Sequence, residues 1–463
     1  MRSMPQLNSM VSVGDLANLN NALRKAAVDY QTSAQPSAVA GASLSPLVPQ
    51  SIEGTLSSAT FTMKELALWP SIPKTSVSNT VHEYNVIKQH GLDLDPFISE
   101  GGAGVLNLSE YSREFVKIKY MAERRSVTDV STLVNILGSN PSAIAEETER
   151  GTMSLMQKVE HQLWHGDASL TNDLGFDGIF KQIEDAGGDN VYDLAGSEVT
   201  PDFLQEVLAT QTAAPNFGRP DCIYVEPRVY SSLIQQTVNY GRHDQLTAAN
   251  GTLTFGVSKL AINSPLGPVP VKSAPFLFTA NKPPAVSSGH SVAPAVISVQ
   301  PAAGAGTSAS QWKSSDTGDY YYTVVGVKAE SGYSAPVVSS AAASVTAAGQ
   351  QVTLTIADAD HSYYRVYRSD KDGLASTCTH IMDVPKTSGA VTVITDNNVS
   401  RTKTSKIFIA QHDPSVFQFV RLLDFLRRPL AEVDTQRPFL LMLFGSPIVK
   451  VPSKLSMIRN VGS

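Results

Sequence analysis

The sequence predicts an α+β protein that carries an inserted all-β sandwich. Two patterns indicate the α+β body: short apolar helices alternate with short strands over residues 175–280, and residues 140–166 have the start and stop signals of one long helix. Turn-rich stretches between residues 319 and 394 separate segments of alternating apolar and polar residues, which is typical of a sandwich. With 463 residues, of which 42% are hydrophobic, the chain is long enough for roughly three domains.

Asn140–Gly166 is predicted to be the long helix, which we call the spine helix. Asn140 is expected to cap it, Pro141 suits the first helical position, and Gly166 is expected to end it in the left-handed conformation. The helix dipole favours the acidic residues of the early turns, which are Glu146, Glu147 and Glu149. The apolar face consists of Ile144, Leu155, Val159 and Leu163.

The N-terminal part is predicted to be an arm followed by a long hairpin. Residues 1–60 favour an extended arm with a short helix at Asp15–Tyr30, and a floppy tail is the alternative. The next segment should anchor to a core through Phe61, Leu66, Leu68 and Trp69. Ser78–Lys88 and Tyr111–Thr128 alternate as strands around a tip of about 20 residues, a length that usually has a function or is disordered. The GGAG run in the tip lacks the Gly-Lys-Ser or Gly-Lys-Thr of a phosphate-binding loop.

Beyond the spine helix, the α+β body is predicted to be interrupted by the inserted sandwich and to continue after it. Its elements are a short helix within Gly175–Asp185, a helix at Thr200–Ala213, a strand at Cys222–Val225, a helix at Pro227–Gln236 and short strands within Leu253–Phe278. The strands predicted in the insertion are Ala295–Val299, Asp319–Lys328, Gln351–Ile356, Ser362–Arg368 and Ala390–Ile394. After it come a helix at Val416–Leu426, an apolar strand at Phe439–Phe444 and a closing element at Ile448–Ile458.

Composition excludes several classes of protein. A net charge of −6 argues against strong nonspecific nucleic-acid binding by the whole chain, although an acidic container around DNA is compatible with it. A modest cluster of basic residues in the C-terminal region predicts either ion pairing between subunits, surface solvation or a weak contact with packaged DNA: Arg421, Arg427, Arg428 and Arg437. Long apolar runs and a secretion signal are absent, so no membrane span and assembly in a cytoplasm are expected.

Neither a catalytic nor a metal site is predicted. His161 and His165 lie four residues apart, but EHQLWHGD is not HExxH, and surface or interface histidines are the favoured interpretation. Cys222 and Cys378 are predicted to be buried small side chains without a disulfide. Cys378 lies near His380, but this pair falls in the predicted sandwich, where a nucleophile is not expected. GxSxG is absent from the sequence. A hydrolase is a further alternative, and for it replacing His161 or His165 would have to abolish turnover.

The order of these parts resembles the major capsid proteins of tailed double-stranded DNA phages, the Hong Kong 97 type. After the arm, the hairpin ends in KIKYMAERRSVT and the long helix ends in VEHQLWHGD. The similar segments that follow are GFDGIF, DCIYVEPRVYSSL and TLTFGVSKLAINSPLGPVPV. In the insertion, YYYTVVGVKAESGYSAP and YYRVYRS resemble strands of fibronectin type III or immunoglobulin-like modules.

The resemblance implies a structural capsid protein, without enzymatic activity or cofactor, that assembles into the hexamers and pentamers of an icosahedral phage head. Its implied partners are further copies of itself, portal, decoration or scaffolding proteins, and nonspecifically packaged double-stranded DNA, in a virion assembled in the cytoplasm of a bacterial host. The implied divisions are an arm (1–76), an extended hairpin loop (77–127), a peripheral domain with the spine helix (128–174), an axial domain (175–282), the insertion (283–404), and the rest of the axial domain with a return to the peripheral domain (405–463).

Two groups of residues are expected to contact neighbouring subunits. At the hairpin tip they are the apolar residues Phe97, Ile98 and Leu106. In the peripheral domain they are the charged residues Arg124, Arg125, Glu146 and Glu147, which are expected to pair between subunits. No isopeptide-forming lysine and asparagine pair is identified, and the sandwich is expected on the outer surface. An encapsulin-like nanocompartment shell and a surface adhesin carried by the sandwich are the alternatives.

Overall fold

Two mixed sheets and the spine helix form the body of the protein. The computed structural model describes residues 62–91, 95, 97–102, 106–133, 142–240, 260–277, 295–302, 310–328, 332–339, 341–358, 360–432 and 434–462. These residues belong to one compact unit, Thr55–Ser463. The helix predicted at Asp15–Tyr30 and the anchor Phe61 lie outside the described residues.

The elements before the insertion follow the predicted alternation. The first strands are β1 (Lys74–Ser76), β2 (Val81–Gln89), β3 (Glu110–Lys117) and β4 (Lys119–Thr128). A short helix α1 (Asp129–Leu133) precedes the spine helix α2 (Ala143–His165). The next elements are α3 (Ile179–Asp185), β5 (Val191–Asp193), α4 (Pro201–Thr212), β6 (Cys222–Val225), α5 (Pro227–Tyr240), β7 (Ala261–Ser264) and β8 (Gly267–Ser273).

The remaining strands lie in residues 283–404, which are predicted to be an insertion and are called the insertion below, and in the C-terminal part. Those of the insertion are β9 (Ala295–Ala302), β10 (Gly318–Tyr320), β11 (Tyr322–Lys328), β12 (Gly332–Tyr333), β13 (Val337–Val338), β14 (Ala343–Val345), β15 (Gln351–Ala357), β16 (Tyr363–Arg368), β17 (Thr379–Pro385) and β18 (Val391–Asp396). The last strands are β19 (Ser405–Ala410), β20 (Phe417–Pro429), β21 (Gln436–Val449) and β22 (Ser456–Val461).

The spine helix packs on a four-stranded sheet of order β1–β20–β21–β4. Its predicted apolar face is buried in one cluster with this sheet, whose members include Leu155, Val159, Leu163, Leu441 and Leu443. The segment before β1 is anchored there as predicted, because Leu66 and Leu68 are buried. Sheet and helix therefore share the largest apolar interior of the body.

The ends of the spine helix differ from the prediction. The helix begins at Ala143 after Ser142, whereas Asn140 and Pro141 lie outside the described residues. At the other end Gly166 has φ −58°, so the expected left-handed conformation is wrong. A Cβ atom at Gly166 would lie 2.6 Å from the carbonyl oxygens of Gln162 and Phe176. Glycine is required here because the chain turns back closely on the helix, not because of its φ.

The predicted strand Tyr111–Thr128 is broken at Ile118. Residues before the break pair with β2 as the predicted antiparallel hairpin, and residues after it pair with β21. The buried side chain of Ser446 bridges the break: its Oγ donates to the carbonyl of Lys117 over 2.8 Å and accepts from the N–H of Lys119 over 3.2 Å. The hairpin can therefore leave the sheet without buried, unsatisfied backbone groups.

A six-stranded sheet of order β5–β22–β19–β6–β8–β7 joins chain segments from both sides of the insertion. The predicted strand Cys222–Val225 is fully buried at its centre. The predicted helix at Thr200–Ala213 is confirmed, with the Thr200 hydroxyl accepting the N–H of Phe203 over 3.3 Å. Residues that follow the insertion thus complete a sheet that residues before it begin.

The helix predicted at Val416–Leu426 is wrong, because these residues form most of strand β20. Its pairing with β21 shifts register between Arg421 and Leu423 and again between Leu423 and Leu426. Such bulges break the period-two pattern, so the apolar residues acquire a spacing that resembles a helix. The predicted strand Phe439–Phe444 is the centre of the longer β21, and the predicted closing element is divided between β21 and β22.

In the insertion, two sheets of order β12–β11–β16–β17 and β18–β15–β9 share one apolar cluster. The cluster includes Tyr322, Val324, Leu354, Ile356 and Val366. The predicted strand Asp319–Lys328 is two strands, because β10 pairs with β14 whereas β11 pairs with β16. Strand β17 was missed, since its residues are mostly half-buried and do not alternate.

Glu226 provides a pH-dependent test of the body's stability. Its side chain is buried, and burial raises the pKa of this carboxyl despite Arg228 at 3.7 Å. Because the folded pKa lies above the unfolded one, stability falls as pH rises from the unfolded pKa through the folded pKa. Glu226→Gln is expected to stabilise the protein by about 1 kcal/mol at neutral pH and to have little effect below about pH 4. Urea unfolding at both pH values measures this, and equal effects at the two values would contradict it.

Candidate assembly surfaces

The hairpin formed by β2 and β3 has one covered and one exposed face. On the covered face, Tyr84 and Val116 pack against a small cluster at the hairpin base that includes Ile118. The outer face carries large apolar side chains that are 44 to 68% exposed: Val81, Ile87, Tyr111 and Phe115. Ile87 and Tyr111 lie directly opposite each other in the strand register. The stem therefore presents large apolar side chains to solvent, interspersed with the exposed ion pair of Glu83 and Arg113.

The hairpin tip is more exposed still. The predicted contact residues Phe97, Ile98 and Leu106 are 87%, 63% and 79% exposed. Leu108, which was not singled out from the sequence, is 72% exposed. Its position two residues after Leu106 is the signal that could have identified it. Exposed apolar side chains grouped at one end of an element are typical of an interaction site.

A lysine–aspartate clamp of ion pairs joins the base of the hairpin to the turn at Asp173. The Lys119 ammonium donates to both the carbonyl and the carboxylate of Asp173, and Lys117 lies 3.6 Å from the same carboxylate. Lys119 and then Lys117 lower the pKa of Asp173. Asn172 and Asp173 have φ values of 51° and 65°, a left-handed conformation that asparagine and aspartate tolerate better than most residues. The turn thus directs the carboxylate at the hairpin base.

The predicted charged contact residues are largely paired within the subunit. Arg125 lies 3.3 Å from Glu147 and 2.5 Å from Glu123, and Glu146 lies 2.8 Å from Arg150. Burial opposes ionisation of Glu123, yet hydrogen bonds from Lys158 and Arg125 hold its pKa below the usual value.

Arg124 differs from these charged residues. It is exposed, and it has no ion pair with any other residue that the structure describes. Pairing between subunits remains a prediction for all four, and Arg124 is the one best placed for it.

The C-terminal arginines are also mostly engaged within the subunit. Arg421 lies 2.6 Å from Asp424, and Arg437 lies 2.6 Å from Asp129. The Arg427 guanidinium lies 4.7 Å from the centre of the Phe439 ring. Arg428 is exposed at the end of β20. The paired arginines are thus engaged within their own subunit, and pairing between subunits and contact with DNA remain predictions.

Glu160 is a site that sequence reasoning missed. Its buried carboxylate accepts the backbone N–H groups of Ala67, Leu68 and Trp69 over 3.1, 2.8 and 2.8 Å, and the indole N–H of Trp164 over 3.3 Å. Burial raises the pKa of this carboxyl, and the three backbone hydrogen bonds oppose that shift. The signal was a glutamate beside Val159 on the apolar face of the spine helix. One side chain thus ties the segment before β1 to this helix.

The residues considered for chemistry are placed as follows. The rings of His161 and His165 lie 5.2 Å apart, and the described residues contain no group of three histidine, cysteine or acidic side chains that could hold a metal. Cys222 and Cys378 are buried, and burial raises the pKa of the Cys222 thiol to about 11. A nucleophilic thiolate is therefore disfavoured at Cys222.

No described helix is both long and apolar enough to cross a membrane.

Comparisons with known proteins bear on the whole chain. No family model matches it. The major capsid protein of Staphylococcus phage S25-3 is 23% identical over 96% of this chain and 98% of its own. That of Staphylococcus phage K is 22% identical with the same coverage, and the putative major capsid protein of Enterococcus phage phiEF24C is 25% identical over 86% of each chain.

Two solved structures align with most of this chain. A chain of Gordonia phage Cozz has a TM-score of 0.45 at 11% identity and covers 92% of this chain and 98% of its own. An encapsulin of Synechococcus elongatus PCC 7942 has a TM-score of 0.43 at 11% identity, with 92% and 97% coverage. The nearly complete alignment to curated phage capsid proteins supports a structural, capsid-forming role for this chain.

Proposed function

We propose that the chain is the major capsid protein of a tailed double-stranded DNA phage and assembles into the hexamers and pentamers of an icosahedral head. The observation that carries this proposal is the hairpin, which is clamped at its base and exposes apolar residues along its outer face and tip. Such a surface has no partner among the described residues of its own subunit. A neighbouring subunit would cover it.

The Hong Kong 97-type architecture is part of the proposal. The hairpin, the spine helix with its four-stranded sheet, and the six-stranded sheet are expected to be the extended loop, the peripheral domain and the axial domain of that fold. The two sheets with a shared cluster support an immunoglobulin or fibronectin type III-like insertion. The insertion returns to the body soon after Arg401, which pairs with Asp316 over 3.0 Å. A short connection of this kind is compatible with a module added to an existing α+β body.

Assembly would use many modest contacts. Fully burying a large apolar side chain contributes about 1.5–3 kcal/mol, so three tip residues supply enough for a specific but reversible contact. Each subunit would give one such contact and receive another, and closure of the shell would multiply them. Phe97, Ile98 and Leu106 are the residues proposed to make this contact.

The encapsulin-like shell is less well supported, because the curated relatives are named as phage capsid proteins. An adhesin would place the function in the insertion, and deleting residues 283–404 separates the two proposals. Shells that still form after the deletion would favour the capsid role. We further propose portal, decoration or scaffolding proteins and packaged DNA as partners, assembly in the cytoplasm of a bacterial host, an outward-facing insertion, and no catalytic activity.

Replacing the three tip residues tests the proposed contact. The triple variant Phe97→Ser, Ile98→Ser and Leu106→Ser is expected to abolish closed shells while leaving the subunit folded, because these side chains are already in water in the isolated subunit. Negative-stain microscopy and sedimentation measure assembly, and circular dichroism measures folding.

Leu374→Ser is the matched control, since Leu374 is 69% exposed in the insertion and away from the hairpin. Leu374→Ser should assemble like the original chain. If the triple variant forms shells of normal yield and size, the tip is not an assembly contact. If the original chain itself forms no shells under any of the assembly conditions tested, the proposed function fails.

A further inference from the structure

Residues 397–404 return the chain from the insertion to strand β19 of the six-stranded sheet, and Asn460 of β22 holds this return segment. The Asn460 amide oxygen accepts the backbone N–H of Arg401 over 3.0 Å, and its NH₂ group donates to the carbonyl of Val399 over 2.7 Å. The same NH₂ group donates to the carboxylate of Asp193 on β5 over 2.9 Å. One side chain therefore joins the return segment to strands β22 and β5 of the body.

Asparagine suits position 460 because of both its backbone and its partners. Asn460 has φ 53°, a left-handed conformation that asparagine adopts more readily than most residues. A backbone N–H only donates and a carbonyl only accepts, so the bonds to Arg401 and Val399 determine which end of the amide is the oxygen. Asn460 is 5% exposed, so water cannot easily replace these bonds. Glycine would suit the backbone equally well but would supply no amide.

Arg401 carries the connection from the return segment into the insertion. Its guanidinium donates to both carboxylate oxygens of Asp316, over 3.3 and 3.0 Å, which is a bidentate pair. Burial opposes ionisation of Asp316, but hydrogen bonds from Arg401 help to hold the pKa of this carboxyl below its usual value. Asp316 also accepts from Asn398 over 3.2 Å, and Asn398 accepts from the buried Arg368 over 2.8 Å. Hydrogen bonds thus run without a gap from the sheet of the body to the core of the insertion.

A second contact between insertion and body lies near the C-terminal end of the spine helix. Strand β17 lies beside the turn Ala168–Thr171, and both Leu170 of this turn and Ile381 of β17 are buried. A module that is held at one point can rotate about it, whereas a module that is also supported at a second point cannot rotate freely. The two contacts together therefore favour a single orientation of the insertion.

We propose that Asn460 is a positioning residue that keeps the insertion in one orientation on the six-stranded sheet, so that insertion and body move as one rigid unit. Loss of its amide frees the return segment, and the insertion then swings on its connections while both parts stay folded. A module held in this way presents one fixed face to its surroundings, which a module on a loose tether does not. The inference concerns the single subunit and does not depend on assembly of a shell.

Distance measurement between two spin labels on the full chain tests the proposal. The labels are attached through Val393→Cys on β18 of the insertion and Gln205→Cys on α4 of the body, since both side chains are exposed on regular elements. Cys222 and Cys378 are buried and are not expected to react. The chain that keeps Asn460 should give one narrow distance distribution. Asn460→Gly, which suits the left-handed backbone but lacks the amide, should at least double its width.

Two further variants separate positioning from backbone effects. Asn172→Gly is the matched control, because Asn172 has φ 51° but lies in an exposed turn of the body, and it should leave the width unchanged. Arg401→Gln removes the pair with Asp316 and should also broaden the distribution. Its effect should be smaller than that of Asn460→Gly, since Arg368 still donates to the return segment.

Hydrogen exchange supplies a readout that a loss of folding would not give. In Asn460→Gly the amides of residues 399–404 should exchange faster, whereas those of β15 and β6 should keep their original rates. A distance distribution that is already broad in the original chain, or that stays narrow in both Asn460→Gly and Arg401→Gln, would overturn the proposal. Faster exchange throughout β6 would also overturn it, because residue 460 would then maintain the sheet rather than the orientation of the insertion.

Discussion

Glu160→Ala is expected to lower the free energy of unfolding by about 4 kcal/mol. The change removes the only carboxylate that accepts the N–H groups of Ala67, Leu68 and Trp69 in the described structure. A buried donor without an acceptor costs about 1–3 kcal/mol, and three consecutive donors would be left with none. Glu160→Gln should cost about half as much, since one amide oxygen still accepts while the amide NH₂ group faces other donors.

Urea unfolding of the full chain measures this loss, and Gln157→Ala is the control. Gln157 lies on the exposed side of the same helix, so its replacement tests helix propensity without the buried hydrogen bonds. It should change stability by less than about 0.5 kcal/mol. An equally small effect of Glu160→Ala would mean that water or a rearranged backbone satisfies the three N–H groups.

Arg368→Met is expected to destabilise the insertion by about 3–5 kcal/mol. Arg368 and Asp396 form an ion pair of 2.6 Å whose side chains are 3% and 1% exposed. Arg368 also donates to Asn398 over 2.8 Å and lies 4.8 Å from the centre of the Trp312 ring. Without the guanidinium, the Asp396 carboxylate would keep the Tyr322 hydroxyl and one backbone N–H but no cation. A buried, uncompensated charge is the source of the large effect.

Hydrogen exchange of strand β16 measures the local free energy of opening in this variant. Lys328→Met is the control, because its ion pair with Asp360 is more than one-third exposed on both sides, and it should cost less than about 1 kcal/mol. The double variant Arg368→Met with Asp396→Leu should recover part of the loss, since it removes the stranded charge. If the single and double variants are equally unstable, the cost comes from packing on Trp312 rather than from charge.

The sequence predicted local elements better than their partners. Apolar periodicity and capping were sufficient for the spine helix and for α4, because amphipathic helices record their buried face in a 3.6-residue pattern. The pattern failed for β20, where two register shifts against β21 remove the alternation that identifies a strand. It also joined β3 to β4, because the break at Ile118 depends on Ser446, a residue far along the chain.

The sequence likewise predicted the apolar contact residues better than the charged ones. Apolar residues in a long polar tip are recognisable because nothing local can bury them, and Phe97, Ile98 and Leu106 are indeed exposed. Charged residues cannot be assigned to partners from sequence, since Arg125 and Glu147 are near each other only after β4 packs on the spine helix. Glu160 was not singled out from the sequence: its place beside Val159 indicates burial, but its partners are backbone N–H groups, which the sequence does not identify.

The six-stranded sheet can form only after strands from both sides of the insertion have been translated. Strand β6 pairs with β19 through Tyr224 and Phe408, so about 180 residues are translated between the two partners. At about 5–20 residues per second, the sheet waits about 10–40 s for its central strand. The insertion emerges within that interval and can fold first on its own cluster. A nascent chain therefore cannot complete this sheet until the residues after the insertion have been translated, and a chain truncated before β19 would lack the strand that joins β6 to β22.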